Sequence, residues 1–572
     1  MQTATFVLAL FLGLAGLCGA STGGRLRAGK GSAGEMAREV ESGLRSSLEA
    51  MTLGGEGQTA RRLETLEAKL WQTFQALPKN SLGRLAPRAV RYLVHGYFAR
   101  EHGWLIRGLE PHGMADNASE VHEVSILQDK APLLVEALLE AREAGRGLSL
   151  ADAVAMVAAL ERLVFDESLG LLEASCELNF LSAGGPLEEQ ELHEVLRSYL
   201  LVFEQGMRGN LSDPRKHQAI KRKLERVGSS WSTIVEFETD AVRNFGFANR
   251  HRTNPFLPSQ YSFEAASHIV EDLAQDYGKW QNAECRQMKE ELIALDADGD
   301  GRVPLGTFYA RPESATYHFT ESLDYLRTIG ALDETVGSSP RVRVANYMLG
   351  PSNCIASSSY YSVCCLSECE AIMNEVEGKV LAPTAPAARL LGVVSNLTSS
   401  SYAPEAPRLL PQDLQDKMHA IAERHGGQVP LHGRLFAQWL HSAFPQECPY
   451  PHVHESAAVL SPRHWIGGQK SIAPKEERDR HIEEAEAAGA SIMLEEAIAL
   501  QPQALEWSDE EVLPLQEPER RRWGALVGTA RVAVQAAVVL ALLRAACSGL
   551  RTAANAAGGN LEQKGAALPM HI

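Results

Sequence analysis

The sequence predicts a mostly α-helical protein with little sheet, divided into several domains. Aromatic residues make up only 6% of the 572 residues while Ala, Leu and Glu are abundant, which favours helix over sheet. Apolar residues also recur at helical spacing, for example at Leu66, Leu70 and Phe74. Because single cores stop growing at roughly 250–300 residues, a chain of this length folds as about three or four domains.

The charge balance of the chain is acidic. The formal net charge at pH 7 is −17. A phosphate backbone is bound by clustered Lys and Arg, so the composition argues against a nucleic-acid partner. Cations and basic proteins suit this charge better.

The N-terminus has the pattern of a secretory signal. An apolar run leads to the small residues Cys18, Gly19 and Ala20, which fits cleavage after residues 1–20. A membrane anchor is the alternative, because no Lys or Arg precedes the run. Residues 21–34 form a basic, flexible leader, either a plain linker or a transit-like segment. We expect the secretory pathway, with a plastid reached through that route as the alternative.

A second hydrophobic stretch covers residues 525–543 and predicts a transmembrane helix. Arg531 lies near its start, where the side chain can reach the membrane interface. A buried or surface amphipathic helix is the alternative. The tail at residues 544–572 is predicted to be disordered. In a lumenal compartment, three Asn-x-Ser/Thr motifs would be glycan acceptors: Asn117, Asn210 and Asn396.

The cysteines between the two hydrophobic stretches favour disulfide bonds. Four of the seven lie together in the stretch from Cys354 to Cys369. A zinc site is the alternative, but no CxxC pair is present and the neighbouring Cys364 and Cys365 are poorly spaced as ligands. Seven thiols leave one cysteine unpaired. The members are Cys176, Cys285, Cys354, Cys364, Cys365, Cys369 and Cys448.

The segment "DADGDGRVPLGT", residues 296–307, follows an amphipathic helical pattern and places aspartates at alternate positions before a glycine. It resembles the twelve-residue calcium loop of the EF-hand superfamily. Ca²⁺ takes six to eight oxygens at about 2.3–2.6 Å, and the glycine lets the chain turn beneath the ion. The resemblance implies a set of ligands made of side-chain oxygens and one backbone carbonyl: Asp296, Asp298, Asp300, the carbonyl of Arg302, and Thr307.

Two positions in this loop depart from the family pattern. The ninth position is Pro304, and the twelfth is Thr307 where the family usually has a bidentate acid. Losing that acid removes two oxygens and a negative charge. We therefore expect weak Ca²⁺ binding, in the range of about 10⁻⁶ to 10⁻³ M. Pro312 is also expected to shorten the helix that follows the loop.

Other segments are candidates for degenerate hands without metal. In residues 123–206, Leu148 and Leu187 lie 39 residues apart and each precedes an acid by four positions. An unrelated helical bundle is the alternative for this segment. The pattern Gly-x-Val-Pro-Leu within residues 301–310 also recurs within residues 427–440. The recurrence predicts that these two segments pair, with chance recurrence as the alternative.

The predicted organisation divides the remaining chain into successive segments. They are a helical module (35–122), the possible degenerate pair (123–206), a connector (207–280), the calcium-loop region (281–350), a Cys-rich segment with a possible second hand (351–460), and an acidic helix or tether (461–522).

The function predicted from these features is a calcium-binding scaffold or interaction protein of the secretory route, anchored to a membrane through residues 525–543. The chain has no P-loop, GxSxG or HExxH motif, so the sequence favours a non-enzymatic role. The alternative is a lumenal metal-dependent hydrolase that uses the histidine-rich region 419–464. Its candidate ligands are His419, His425, His452, His454 and His464.

Overall fold

The fold is mostly helical with little strand, as the sequence predicts. This computed structural model describes residues 56–109, 147–205, 213–227, 231–249, 260–310, 315–335, 340–355, 358, 360–397, 409–451, 471–495 and 507–515. Several predicted features lie outside those ranges: the signal peptide (1–20), the leader (21–34), Asn117, Asn210, residues 525–543 and the tail (544–572). Among the helices that are described, none has the length and apolarity needed to cross a bilayer.

The helices are α1 (Glu56–Ala76), α2 (Pro87–Glu101), α3 (Leu150–Leu178), α4 (Glu189–Gln205), α5 (Pro214–Val227), α6 (Trp231–Asn249), α7 (Phe263–Ile293), α8 (Leu305–Tyr309), α9 (Leu323–Thr328), α10 (Val344–Met348), α11 (Glu368–Val380), α12 (Ala387–Ser395), α13 (Gln412–Arg424), α14 (Arg434–Ala443) and α15 (Lys475–Glu495). The strands are β1 (Trp104–Ile106), β2 (Leu187–Glu188), β3 (Gln260–Tyr261), β4 (Arg302–Pro304), β5 (Leu332–Asp333), β6 (Arg341–Arg343), β7 (Tyr361–Val363), β8 (Thr384–Ala385) and β9 (Val429–Pro430).

The chain forms two compact units. The first takes in the described residues up to Trp71, those from Trp104 to Trp280, and those from Ile355 to Val363. The second takes in the remainder, and two of the boundaries fall within α1 and α7. The calcium-loop region belongs to the second unit.

The first unit is built on the long apolar helix α3, which packs against α4 and α5. Leu187 lies in β2 and pairs with Tyr261 of β3, so the strand partner of Leu187 lies outside residues 123–206. The acids four residues after Leu148 and Leu187 each cap a helix. Asp152 accepts a hydrogen bond from the N–H of Ser149 at 2.7 Å, and Glu191 accepts one from the N–H of Glu188 at 2.9 Å. Both contacts satisfy helix N-terminal donors.

The second unit repeats an arrangement in which a short strand leads into a helix, and the strands pair in antiparallel fashion. β4 leads into α8 and pairs with β6, which leads into α10. β8 leads into α12 and pairs with β9, which leads towards α14. The predicted pairing of residues 301–310 with 427–440 is therefore wrong. Val303 pairs instead with the buried Val342, which is nearer to it in the chain than residues 427–440 are. β9, which contains Val429, pairs with β8.

Two hydrophobic clusters hold the second unit together. One gathers side chains around Phe308, Tyr347 and Val303 from the calcium-loop region. The other gathers side chains around Trp439 and Leu390 from the segments that flank β8 and β9. Phe308 and Trp439 are both fully buried, so removing either ring is expected to cost about 3–5 kcal/mol of stability.

The prediction of disulfide bonds is confirmed. Cys285 is bonded to Cys365, Cys354 to Cys364, and Cys369 to Cys448. In the part of the chain that is described, Cys176 is the free cysteine and is buried. Burial and the nearby carboxylates of Glu173 and Glu177 raise the pKa of the Cys176 thiol to about 11. This thiol is therefore protonated and unreactive at neutral pH.

A buried charge cluster stabilises the three-stranded sheet β4–β6–β5. Arg302 and Arg343 lie directly opposite each other on β4 and β6, where two like charges destabilise a pair. Asp333 of β5 lies between them, 3.2 Å from Arg302 and 3.3 Å from Arg343. Burial alone would raise the pKa of Asp333. Hydrogen bonds from Thr335 and the charges of the two arginines outweigh burial, so the pKa is lowered.

Replacing Asp333 by Asn is expected to destabilise the sheet by about 3–5 kcal/mol, because the change leaves buried guanidinium groups without their shared carboxylate. Amide hydrogen exchange of β4, β5 and β6 measures the loss. The neighbouring change Glu334→Gln removes an exposed pair with Arg327 and is expected to cost less than about 1 kcal/mol. Equal effects of the two changes would contradict this role of Asp333.

The same cluster predicts a pH dependence. A carboxyl group whose pKa is lowered by folding contributes stability above its unfolded pKa, and that contribution is lost as the pH falls through the folded pKa. The stability difference between the native protein and Asp333→Asn should therefore stay constant between about pH 5 and 7 and shrink below about pH 4. A difference that grew on acidification would contradict the assignment.

Candidate metal centre

The loop between α7 and β4 is folded around the carboxylate of Asp296. This carboxylate accepts hydrogen bonds from the backbone N–H groups of Gly299 at 2.9 Å, Asp300 at 3.3 Å and Gly301 at 2.8 Å. The side-chain amide of Gln446 donates a fourth, at 3.3 Å. Asp296 is buried, and its charge is offset mainly by backbone dipoles. The first predicted ligand therefore also closes the loop.

Two glycines allow the loop to turn. Gly299 has a φ of +68° and Gly301 a φ of +77°, a region that other residues rarely adopt. Gly301 is also crowded. A Cβ atom added there would lie 2.4 Å from the carbonyl oxygen of Pro445, whereas one added at Gly299 would meet no atom within 4 Å.

The strand after the loop turns the backbone of Arg302 towards the loop. Val344 donates to the carbonyl of Gly301 at 2.9 Å and Leu305 donates to the carbonyl of Pro340 at 2.9 Å. Because ladder bonds of an antiparallel pair fall on alternate residues, the backbone groups of Arg302 face away from β6. Its N–H donates to Oδ1 of Asp300 at 3.1 Å. The carbonyl that was predicted as a ligand lies on that same side.

Asp298 and Asp300 converge on one positive group. Arg341 contacts Oδ2 of Asp298 with Nη2 at 3.0 Å and Oδ2 of Asp300 with Nη1 at 3.2 Å. The register of the sheet places Arg341 directly opposite Pro304, the ninth loop position. The two carboxylates therefore contact the same guanidinium group, each through a different nitrogen.

The charges in the loop are only partly balanced. Burial raises the pKa of Asp300, and the nearby carboxylate of Asp296 adds to this, although Arg302 and Arg341 act in the opposite direction. The net effect is a raised pKa. Further positive charge near Asp300 would therefore stabilise its ionised form.

The remaining predicted ligand is Thr307, which lies in α8 and is half-buried. Within the described residues, no group of three or more His, Cys, Asp or Glu side chains is arranged to hold a metal ion. The structure brings Asp298 and Asp300 together and holds Asp296 against the backbone of the same loop.

Sequence reasoning missed three participants in this loop: Arg341, Pro445 and Gln446. Gln446 and Pro445 lie in the segment just before Cys448, which is tied to Cys369 by a disulfide. The Arg-Val spacing of "GRVPLGT" recurs in "PRVRVAN", but this recurrence does not indicate which carboxylates Arg341 contacts. No local signal identifies the other two.

The histidines of the proposed hydrolase have separate partners where the structure describes them. His425 contacts Glu511 at 2.8 Å. His419 is exposed on α13. The other candidate ligands, His452, His454 and His464, lie outside the described residues.

A buried serine in the first unit also has the partners of a nucleophile. Ser198 Oγ lies 2.9 Å from Nε2 of His217 and accepts hydrogen bonds from Asn179 and Lys221. Ser198 and His217 are both fully buried. Burial and the charge of Lys221 lower the pKa of His217 to about 4, so the ring is neutral at pH 7. A cluster this inaccessible suits a structural polar network better than catalysis.

Comparisons with protein-family models, with curated proteins and with solved structures find no match for this chain.

Replacing Gly301 by Ala is expected to destabilise the loop more than replacing Gly299. Both changes force a side chain into a left-handed conformation at a cost of about 1–2 kcal/mol. Only Gly301→Ala also drives Cβ into the backbone of residue 445, which is expected to add about 1–3 kcal/mol. Urea unfolding of the two variants measures the difference, and equal destabilisation would show that residue 445 does not constrain the loop.

Proposed function

We propose that this chain is a calcium-binding scaffold or interaction protein of the secretory route, with one weak divalent-cation site in residues 296–307. The observation that carries the proposal is the convergence of Asp298 and Asp300 on a single positive group. A Ca²⁺ site needs several oxygens within reach of one ion, and two carboxylates that contact the same guanidinium group support such an arrangement.

The backbone around the site supports the same proposal. The loop is preceded by the amphipathic end of α7 and followed by a short strand and a helix. Val303 at the eighth loop position faces Val342 in the strand pair, which is the kind of pairing that joins two hands. The carbonyl of Arg302 is turned to the loop side, as expected for the seventh position of such a loop.

The expected affinity follows from the ligand set. Oxygen ligands suit Ca²⁺, a hard cation that accepts irregular geometry. Thr307 supplies at most one oxygen where a bidentate carboxylate would supply two, so water must complete the shell. A weak site suits a compartment rich in calcium, where occupancy is structural.

The disulfides support the proposed compartment. Three disulfides join segments of the second unit, and such bonds persist in oxidising environments such as the secretory lumen. Attachment to a membrane through residues 525–543 is part of the proposal and rests on the sequence of that segment.

Isothermal calorimetry with Ca²⁺ tests the site. We expect the native chain to bind with a dissociation constant of about 10⁻⁶ to 10⁻³ M, and the double change Asp298→Asn and Asp300→Asn to abolish the heat of binding. These substitutions keep the shape of the side chains and leave Asp296 to close the loop.

The matched control is Asp324→Asn. Asp324 is a largely exposed acid on α9 that contacts Arg327 outside the loop, so removing its charge should leave calcium binding unchanged. Native protein that gave no heat up to millimolar Ca²⁺, or equal losses in the control and the double variant, would refute the proposed site.

A further inference from the structure

The calcium loop already holds a cation that belongs to the chain. The guanidinium of Arg341 spans the outer carboxylates, with Nη2 at 3.0 Å from Asp298 and Nη1 at 3.2 Å from Asp300. Its side chain is 18% exposed, while that of Asp298 is 55% exposed. The contact therefore lies at the mouth of the loop, where an incoming ion would arrive.

Arg341 is the arginine that competes for this position, and Arg302 is not. Arg302 reaches Asp300 only at 4.0 Å and is committed to Asp333 at 3.2 Å on the neighbouring strand. Its side chain is also more buried than that of Arg341. Arg341 has the more exposed side chain and the shorter contacts with the loop carboxylates.

The backbone of Arg341 is held in the sheet, whereas its side chain is partly exposed. Val342 pairs with Val303 in the sheet, and Arg343 donates to the carbonyls of Gly330 at 3.1 Å and Leu332 at 2.8 Å. These contacts hold β6 in register. Arg341 is the first residue of the central strand β6, and a long arginine side chain at a strand end can move towards water without any change in that register.

We propose that Arg341 is an intramolecular competitor of the divalent ion: it neutralises Asp298 and Asp300 in the ion-free loop and withdraws into solvent when Ca²⁺ binds. This inference rests on the function proposed above. A guanidinium and a divalent ion cannot share the same two carboxylate oxygens, because positive charges about 4 Å apart repel each other. The strand β6 thereby lowers the affinity of the loop and keeps it closed without metal.

Calorimetry on variants of the full chain tests the competition. Arg341→Gln removes the competing charge and should lower the dissociation constant for Ca²⁺ by about tenfold, a change equivalent to about 1.4 kcal/mol. Arg341→Lys keeps the charge but cannot contact both carboxylates through a planar guanidinium. Its affinity for Ca²⁺ should therefore lie between those of the native protein and Arg341→Gln. The matched control Arg327→Gln removes an exposed arginine that pairs with Asp324 and Glu334 and should change the constant less than twofold.

A second measurement uses the native chain and does not depend on the folding of any variant. Phenylglyoxal modifies accessible arginines, and peptide mass spectrometry reports the rate at each position. Saturating Ca²⁺ should raise the rate at Arg341 several-fold, because the guanidinium has left its carboxylates. The rate at Arg327 should not change, since its partners lie outside the loop.

The possible outcomes separate this inference from the proposed function. Native protein and Arg341→Gln that bind Ca²⁺ with equal affinity, together with a modification rate at Arg341 that is insensitive to Ca²⁺, would overturn the competition and leave the calcium site standing. Absence of binding in both proteins would overturn both proposals. Binding of Ca²⁺ that is tighter in Arg341→Gln than in the native protein, with no such change in the control Arg327→Gln, would support both proposals.

Discussion

The antiparallel pairing of β4 with β6 is the constraint on which the rest of the calcium-loop region depends. Its register sets Val303 against Val342 in the core and Arg302 against Arg343 at the edge of that core. Because side chains alternate between the two faces of a strand, a slip of one residue would replace Val303 or Val342 in the core by a neighbouring arginine or proline. The burial of Val303 and Val342 therefore fixes the register, and the positions of the arginines follow from it.

The register places two like charges opposite each other, and a carboxylate on the third strand offsets them. Two buried arginines face each other across the strands, and the third strand brings Asp333 between them. Arg341 lies two residues before Arg343 on the same strand β6, where it contacts the loop carboxylates of Asp298 and Asp300. One short sheet thus balances the charges of the core and of the loop.

The disulfides fix the segments that surround this sheet. Cys285 lies on α7, the helix that leads into the loop, and is bonded to Cys365. Cys448 follows the residues that contact the loop and is bonded to Cys369 on α11. These bonds limit the conformations of the unfolded chain. They also hold Pro445 and Gln446 against Gly301 and Asp296, so the loop is supported from outside as well as from its own strand.

The sequence by itself determined the helical fold, the presence of disulfides and the place of the loop. Each of these depends on local or compositional information. Helical spacing places Leu66 and Leu70 in the core, and poor zinc spacing at Cys364 and Cys365 favours disulfide bonds. Alternating aspartates before a glycine mark the tight turn.

Only the tertiary structure decided which segments pair and what the loop carboxylates contact. The pattern shared by residues 301–310 and 427–440 predicted the wrong partner, because a short strand carries too little information to specify its pairing without the core behind it. Arg341 reaches Asp298 across 43 positions of the chain. Contacts of that kind arise from strand register and packing, which depend on the whole fold and leave no periodic signal in the sequence.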